Sequence, residues 1–460
     1  MLSDKIITTL QEIVGEEHFS LTEADRSLHA KDQSSHAARM PDAVIWPETT
    51  QQVSAILRHA NEHKIPIVGW GAGSSLEGNS IPLKGGIVVD FVRMNQILTV
   101  YAEDFQVTVQ PGIFYKDMNK MLAQHGLFFA PDPGANASIG GMIANNAAGT
   151  RTPKYGATRD NVLALEVVLA NGDIIRTGSR SIKQSAGYDL THLFTGSEGT
   201  LGLITEATLK LAPIPEHFSA AIASFQTTEA AAEAVFHIMG SGLNPAALEL
   251  LDTATVEVMN QEDNMDLVPA PTLFLEFHGA SDATLEVELD LVQAICEESG
   301  SQTFKAGIGR ESRNRLWQAR HHLGEVLFRM FPDHDYLITD VSVPISQYPV
   351  LVAFALEALS KLDDAPAFIF GHAGDGNLHS SVYYPLDDEA ALTKVQEGFN
   401  DRVIEQAIAL GGTCTGEHGV GIGKQKYMVR EHGEKAIAVM RQVKAMFDPN
   451  GILNPGKVVG

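Results

Sequence analysis

Between Phe370 and His379 the sequence FGHAGDGNLH sets two histidines around an Asp-Gly pair. Asp375-Gly376 is a preferred two-residue hairpin turn, because both central positions of such a turn need positive φ. With that turn, Gly374 pairs with Asn377, Ala373 with Leu378, and His372 with His379. Opposite residues share a face with Cβ atoms about 4.5–5.5 Å apart, close enough for two imidazoles to share one ion. A third ligand must come from elsewhere. The best candidate lies in GTCTGEHGVGIGK, where Glu417 and His418 sit among closely spaced glycines. Two imidazoles and one carboxylate, with positions left open, suit Zn, Mn or Fe, and of these Zn or Mn is expected. Cys414 reads as a small packed residue instead of a ligand, and Lys424 and Lys426 as a solvated basic turn.

A second concentration of chemistry is built from small residues. In IPIVGWGAGSSLEGNS, Gly69, Gly71, Gly73 and Gly78 follow an apolar strand over 65–68. Glycines there let several backbone N–H groups face one anion without Cβ clashes. The spacing is neither the dinucleotide-binding fingerprint nor a P-loop, and alone it reads equally as a tight loop. Trp70 reads as packing. The segment PDPGANASIGGMIANNAAGT, from Pro131 to Thr150, is nearly free of bulky side chains, so a large flat ligand can approach its backbone. GSEGTLGLIT follows at Gly196–Thr205.

The elements that must hold these groups come from a chain of 460 residues, long enough for two or three domains. Asp and Glu number 57 against 33 Lys and Arg, a formal charge of −24. That excess repels phosphate backbones, and no basic run offsets it, so nucleic-acid binding is not expected. Two distant cysteines, Cys296 and Cys414, exclude a disulfide framework and fit a reducing, cytoplasmic setting. The N-terminus reads as an amphipathic helix and not a leader. No run of 18 apolar residues occurs, so no membrane span is expected, while peripheral contact with an inner membrane stays open.

Apolar spacing predicts a helix over 50–63 after an extended segment at 43–47, then short strands and turns to about residue 210. Asn171-Gly172 between two β-rich runs is a hairpin signal. Two prolines at 213 and 215 mark a boundary. Beyond it helices (228–240, 283–298, 348–362, 389–410) alternate with strands (272–277, 336–343, 367–372, 378–384), an α+β pattern.

The order of the three glycine-containing segments, Pro66–Gly78, Pro131–Gly149 and Gly196–Thr205, resembles the FAD-binding domain of the vanillyl-alcohol-oxidase superfamily, the PCMH-type fold. The resemblance spans about 41–213. It implies two α/β subdomains whose first loop holds the FAD pyrophosphate through Gly71, Ala72, Gly73, Ser74 and Ser75. It implies that Pro131, Ser138, Gly141, Asn145 and Gly149 line the flavin and that Ile204 meets the adenine end. Some members attach the flavin through a histidine in the first loop. Ser74 and Ser75 stand there, which implies noncovalent FAD.

H-x-G-D-G-N-x-H, G-E-H-G and the closing NPGK in turn resemble the FAD-linked D-2-hydroxy-acid dehydrogenases. That group includes D-lactate dehydrogenases, D-2-hydroxyglutarate dehydrogenases and the flavin-binding component of glycolate oxidase. The resemblance implies that His372, His379 and Glu417 bind the metal and that His418 is the base. It implies that Arg320 pairs with the substrate carboxylate and that Asn454 lies near the flavin. The hydroxyglutarate group carries an asparagine where Ser381 stands and a lysine near Ile338-Thr339. A short monocarboxylate, D-lactate or glycolate, is therefore the expected substrate, ahead of D-2-hydroxyglutarate. The implied electron acceptor is a quinone, a cytochrome or an electron-transfer flavoprotein, and a homodimer is allowed. Competing readings are an oxidase or ether-lipid synthase on the same fold, which need no metal, and an electron-relaying component of a glycolate oxidase complex. The implied architecture is α+β: an FAD-binding domain over 1–213, a substrate or cap domain with an antiparallel sheet over 214–410, and a segment over 411–460 that returns to the FAD domain.

Overall fold

The computed structural model describes residues 2–307, 310–362 and 365–460. Two compact units share the chain. The first is Met1–Ala147, Ala157–Ile214 and Glu417–Gly460, and the second is Ala148–Gly156 and Pro215–Gly416.

Among the described residues the first unit has two principal sheets. In one, Ala43–Ile45 and Ile67–Trp70 flank Ile87–Asp90 in parallel, with Phe19–Ser20 antiparallel at the edge. The Thr50–His63 helix covers this sheet and begins on a capping box in which Thr49 and Gln52 satisfy each other's backbone N–H groups. Its Val53, Ile56, Leu57 and Ala60 are fully buried in one core with Ile45, Ile67 and Val89. The other sheet is antiparallel, in the order Ile97–Tyr101, Gln106–Val109, Leu203–Lys210, Val162–Val168, Ile174–Gly178. Asn171-Gly172 does close a hairpin: Val168 stands opposite Ile174, and Gly172 takes φ 85°.

The second unit is built on one antiparallel sheet, seven-stranded among the described residues. Its order is Ser301–Ala306, His217–Phe225, Thr272–Gly279, Ala247–Leu251, Ala367–Gly371, Asn377–Pro385, His334–Ser342. Phe274, Leu316, Trp317, Leu323, Phe368 and Tyr383 fill a core beside it. The stretch expected as one helix over 389–410 is helical from Glu389 to Ala409 but carries a π turn, Gln396–Asn400, between Glu389–Val395 and Asp401–Ala409. Buried Asn400 in that turn accepts a hydrogen bond from Thr339 Oγ1 at 2.7 Å. The chain is thus α+β, as expected, and no described helix is long and apolar enough to cross a membrane.

Candidate active site

The hairpin brings His372 and His379 together, but not in the expected register. Phe370, not His372, stands opposite His379, and the strands end at Gly371 and Asn377. Asp375-Gly376 is not a two-residue turn. A 3-10 turn over Ala373–Asp375 precedes Gly376 at φ 78°, and Gly376 lies against Val343, whose N–H donates to the Gly376 carbonyl at 3.1 Å. The longer loop slips the pairing by two residues. A slip of two keeps side chains on their original face, whereas a slip of one would have parted them. His372 and His379 are buried, with ring centroids 5.2 Å apart.

Each imidazole has a buried carboxylate behind it. Glu249, in the Ala247–Leu251 strand, accepts His372 Nδ1–H at 2.7 Å. Asp340 Oδ1 lies 3.7 Å from His379 Nδ1, and the Asp340 oxygens also accept from Asn377 Nδ2 and Thr415 Oγ1, both at 2.8 Å. Arg320, on the Arg310–Met330 helix, reaches the same cluster: its Nε donates to Glu249 Oε2 at 2.8 Å, and its guanidinium lies 5.1 Å from the Phe370 ring centre. Burial alone would raise the Glu249 carboxyl, yet the charges and hydrogen bonds of His372 and Arg320 hold it below the usual range. Sequence reasoning missed Glu249 and Asp340. The signal for Glu249 was a lone charge inside the apolar run Ala246–Leu251.

In the first unit the glycine loop leaves the Ile67–Trp70 strand with Gly71, Ala72, Gly73, Ser74 and Ser75 half-buried. A Cβ at Gly71 would strike Ser138 Oγ, so backbone alone fits there. Ser138 caps the Ile139–Asn145 helix by accepting from the Gly141 N–H. Trp70 has the packing role expected of it: a Cβ on Gly73 would lie 2.6 Å from the Trp70 ring, which meets His29 edge-on at 4.9 Å. Pro131 is buried, and the neighbouring Asp132 accepts from Tyr115 Oη at 2.7 Å. Ile204 packs in the core with Val107, Ile143 and Leu165. Gly149 belongs to the second unit, at φ 133°.

The returning segment is tied to these loops. Asn145 and Asn79 both donate to the His418 carbonyl, at 3.2 and 3.3 Å. Buried Glu198, also missed from sequence, accepts from the N–H groups of Val420 and Gly421 at 2.6 and 2.9 Å and from Asn79 at 2.7 Å. Burial raises its carboxyl against those donors. Asn454 donates to the carbonyls of Asn79 and Glu198, at 2.9 and 2.7 Å. Lys457 Nζ donates to those of Gly78, Asn79 and Ile81, and burial brings its pKa down to about 8. Lys424, expected to be solvated, is buried 3.1 Å from Glu77. Its position in a tight return past Gly421 and Gly423, whose Cβ atoms would meet Glu77, turns it inward. Lys426 is exposed and Cys414 buried, as read.

Comparison with known proteins gives this geometry a family. Residues 41–178 match the family model described as FAD binding domain, and residues 214–458 match that of FAD linked oxidases, C-terminal domain. The probable mitochondrial D-lactate dehydrogenase of Danio rerio is 39% identical over 460 residues, covering 99% of this chain and 92% of that protein. Glycolate oxidase subunit GlcD of Bacillus subtilis is 39% identical over 462 residues, covering 100% and 97%. Among solved structures, 4-ethylphenol oxidase from Gulosibacter chungangensis superposes with a TM-score of 0.81 over 98% of this chain and 96% of that one. At 19% identity that likeness speaks to the fold alone, which is of the PCMH type. The chain belongs to the FAD-linked oxidases, in the group of FAD-linked D-2-hydroxy-acid dehydrogenases that holds the D-lactate dehydrogenases and the GlcD subunits of glycolate oxidase.

Proposed function

We propose that this protein oxidises a short D-2-hydroxy acid, of the D-lactate or glycolate kind, to the 2-oxo acid, using noncovalent FAD and a divalent ion, Zn or Mn, on His372, His379 and Glu417. The observation that carries the metal reading is the carboxylate behind each imidazole, Glu249 for His372 and Asp340 for His379. Metal-ligating histidines almost always carry such a partner on the ring nitrogen that faces away from the ion. Glu417, in the Gly-Glu-His-Gly motif, supplies the third, carboxylate ligand.

The residues of the first unit fit FAD: a loop where only backbone fits beside Ser138, and no histidine at 74 or 75 to form a covalent link. Gly71 to Ser75, Pro131, Ser138, Gly141, Asn145, Ile204 and Asn454 would hold FAD, which would supply the acceptor for the electron pair of the substrate Cα–H bond, and the ion would supply Lewis acidity at the substrate hydroxyl.

Arg320 binds the substrate carboxylate. Glu249 Oε2 faces the Nε–Nη2 edge of its guanidinium, which leaves Nη1 and the far N–H of Nη2 for the substrate. His418 takes the hydroxyl proton, and the two amides on its carbonyl fix the backbone from which its ring projects. The electrons leave to a quinone, a cytochrome or an electron-transfer flavoprotein. The test is turnover by the isolated, metal-replete chain with an artificial dye acceptor. D-lactate or glycolate should be oxidised and L-lactate much less so; an inactive chain would leave it an electron relay.

A further inference from the structure

Glu249 lies where a carboxylate is costly, in the middle of the strand Ala247–Leu251, whose residues are all buried. Leu251 pairs with Phe370 and Leu250 with Gly371, so extending the register by one residue sets Glu249 opposite His372. Its two oxygens take different partners: Oε1 accepts from His372 Nδ1 at 2.7 Å, and Oε2 from Arg320 Nε at 2.8 Å, with Arg320 Nη2 at 2.6 Å. His379 Nδ1 lies 3.7 Å from Asp340, which also accepts from Asn377 and Thr415.

We propose that Glu249 is the positioning residue of this site, one carboxylate that fixes both the metal-facing nitrogen of His372 and the angle of the Arg320 guanidinium. This rests on the reading of His372 as a metal ligand. An ionised carboxylate only accepts, so the His372 nitrogen facing it must carry the proton, and the neutral ring then presents the Nε2 lone pair. A divalent ion needs that lone pair. The same carboxylate leaves Arg320 one orientation, held over Phe370, which itself lies 5.6 Å from His379. Anchoring of the substrate carboxylate and anchoring of the ion therefore share one support.

Glu249→Gln keeps the shape but sets an NH2 group against one of two donors. The experiment is a Zn²⁺ titration of metal-stripped, FAD-containing protein against a chromophoric chelator, for the wild type, Glu249→Gln, Glu249→Asp and His372→Ala. The flavin spectrum and thermal midpoint serve as checks on folding. His372→Ala should lose the ion, and Glu249→Gln should bind it about 10–100-fold more weakly with flavin content unchanged. At saturating metal, Glu249→Gln should raise KM for the hydroxy acid more than it lowers kcat. Ion binding by Glu249→Gln within about twofold of wild type, with His372→Ala defective, would overturn the positioning role and leave the ligand assignment standing. Wild-type ion binding by His372→Ala would instead remove the ligand assignment, and this inference with it. Should Glu249→Gln fail to retain flavin, Glu249→Asp decides: its shorter side chain cannot span both donors, so full ion affinity there would also overturn the role.

Discussion

Ile338 stands directly opposite Ser381, one pair of alternate residues along from Asp340 opposite His379. Residues two apart on a strand share a face, so the Ile338–Ser381 pair continues the face that carries His379. Phe368 pairs with Ser381 from the other side and is buried. Ile338, Ser381 and Phe368 carry no charge for a second carboxylate, the ground on which a monocarboxylate substrate is proposed. The double variant Ile338→Lys, Ser381→Asn should shift kcat/KM toward D-2-hydroxyglutarate relative to D-lactate by about tenfold, on the order of 1.4 kcal/mol. An unchanged ratio would place substrate selection elsewhere.

His418→Ala should retain FAD, because the parts of His418 held by Asn79 and Asn145 are backbone. Stopped-flow reduction of its flavin by D-lactate should slow by at least about a hundredfold. Reduction at near wild-type rate would exclude His418 as the base.

Gly71→Ala adds a methyl group where Ser138 Oγ already lies. Lys457→Met removes the donor to the carbonyls of Gly78, Asn79 and Ile81. Both should lower FAD affinity, the first by at least about tenfold, since the Ser138 hydroxyl that caps the Ile139–Asn145 helix must give way. Flavin fluorescence released on dilution measures it, and full retention in Gly71→Ala would move the pyrophosphate off this loop.

Glu276 gives the second unit an acid-sensitive contact. Burial alone would raise its carboxyl, but hydrogen bonds from His278 Nε2 and Arg313, with their charges, hold it at about 2 against an ordinary 4.5. A folded-state pKa below the unfolded one means the folded protein binds fewer protons. This stabilisation is complete above about pH 4.5 and is lost as pH falls toward about 2, a span worth roughly 3 kcal/mol. Glu276→Gln lacks it. The stability gap between wild type and Glu276→Gln in urea should therefore shrink steadily across that window, and a gap independent of pH would refute the account.

What the sequence disclosed follows the range of the forces involved. The helices Thr50–His63 and Thr228–Gly240 have the expected ends because capping by Thr49 and Thr227 is local. The glycine loops were legible because steric exclusion of Cβ leaves a mark at each position. The hairpin register was not, because the Gly376 turn closes on Val343, outside the motif, yet the two-residue slip preserved the face on which the histidines meet. Glu249 and Asp340 escaped notice because their partners lie on other strands; the Glu249–His372 contact spans 123 residues. Lys424 looked like a solvated cation until the fold set it against Glu77.

The most direct measurement is an anaerobic titration of the metal-replete, FAD-containing chain with D-lactate, glycolate, L-lactate and D-2-hydroxyglutarate, following flavin absorbance near its visible maximum. D-lactate or glycolate should bleach the flavin stoichiometrically, D-2-hydroxyglutarate should act more weakly and L-lactate little or not at all. A flavin that stays oxidised with all four acids would contradict the assignment of this chain as a 2-hydroxy-acid dehydrogenase.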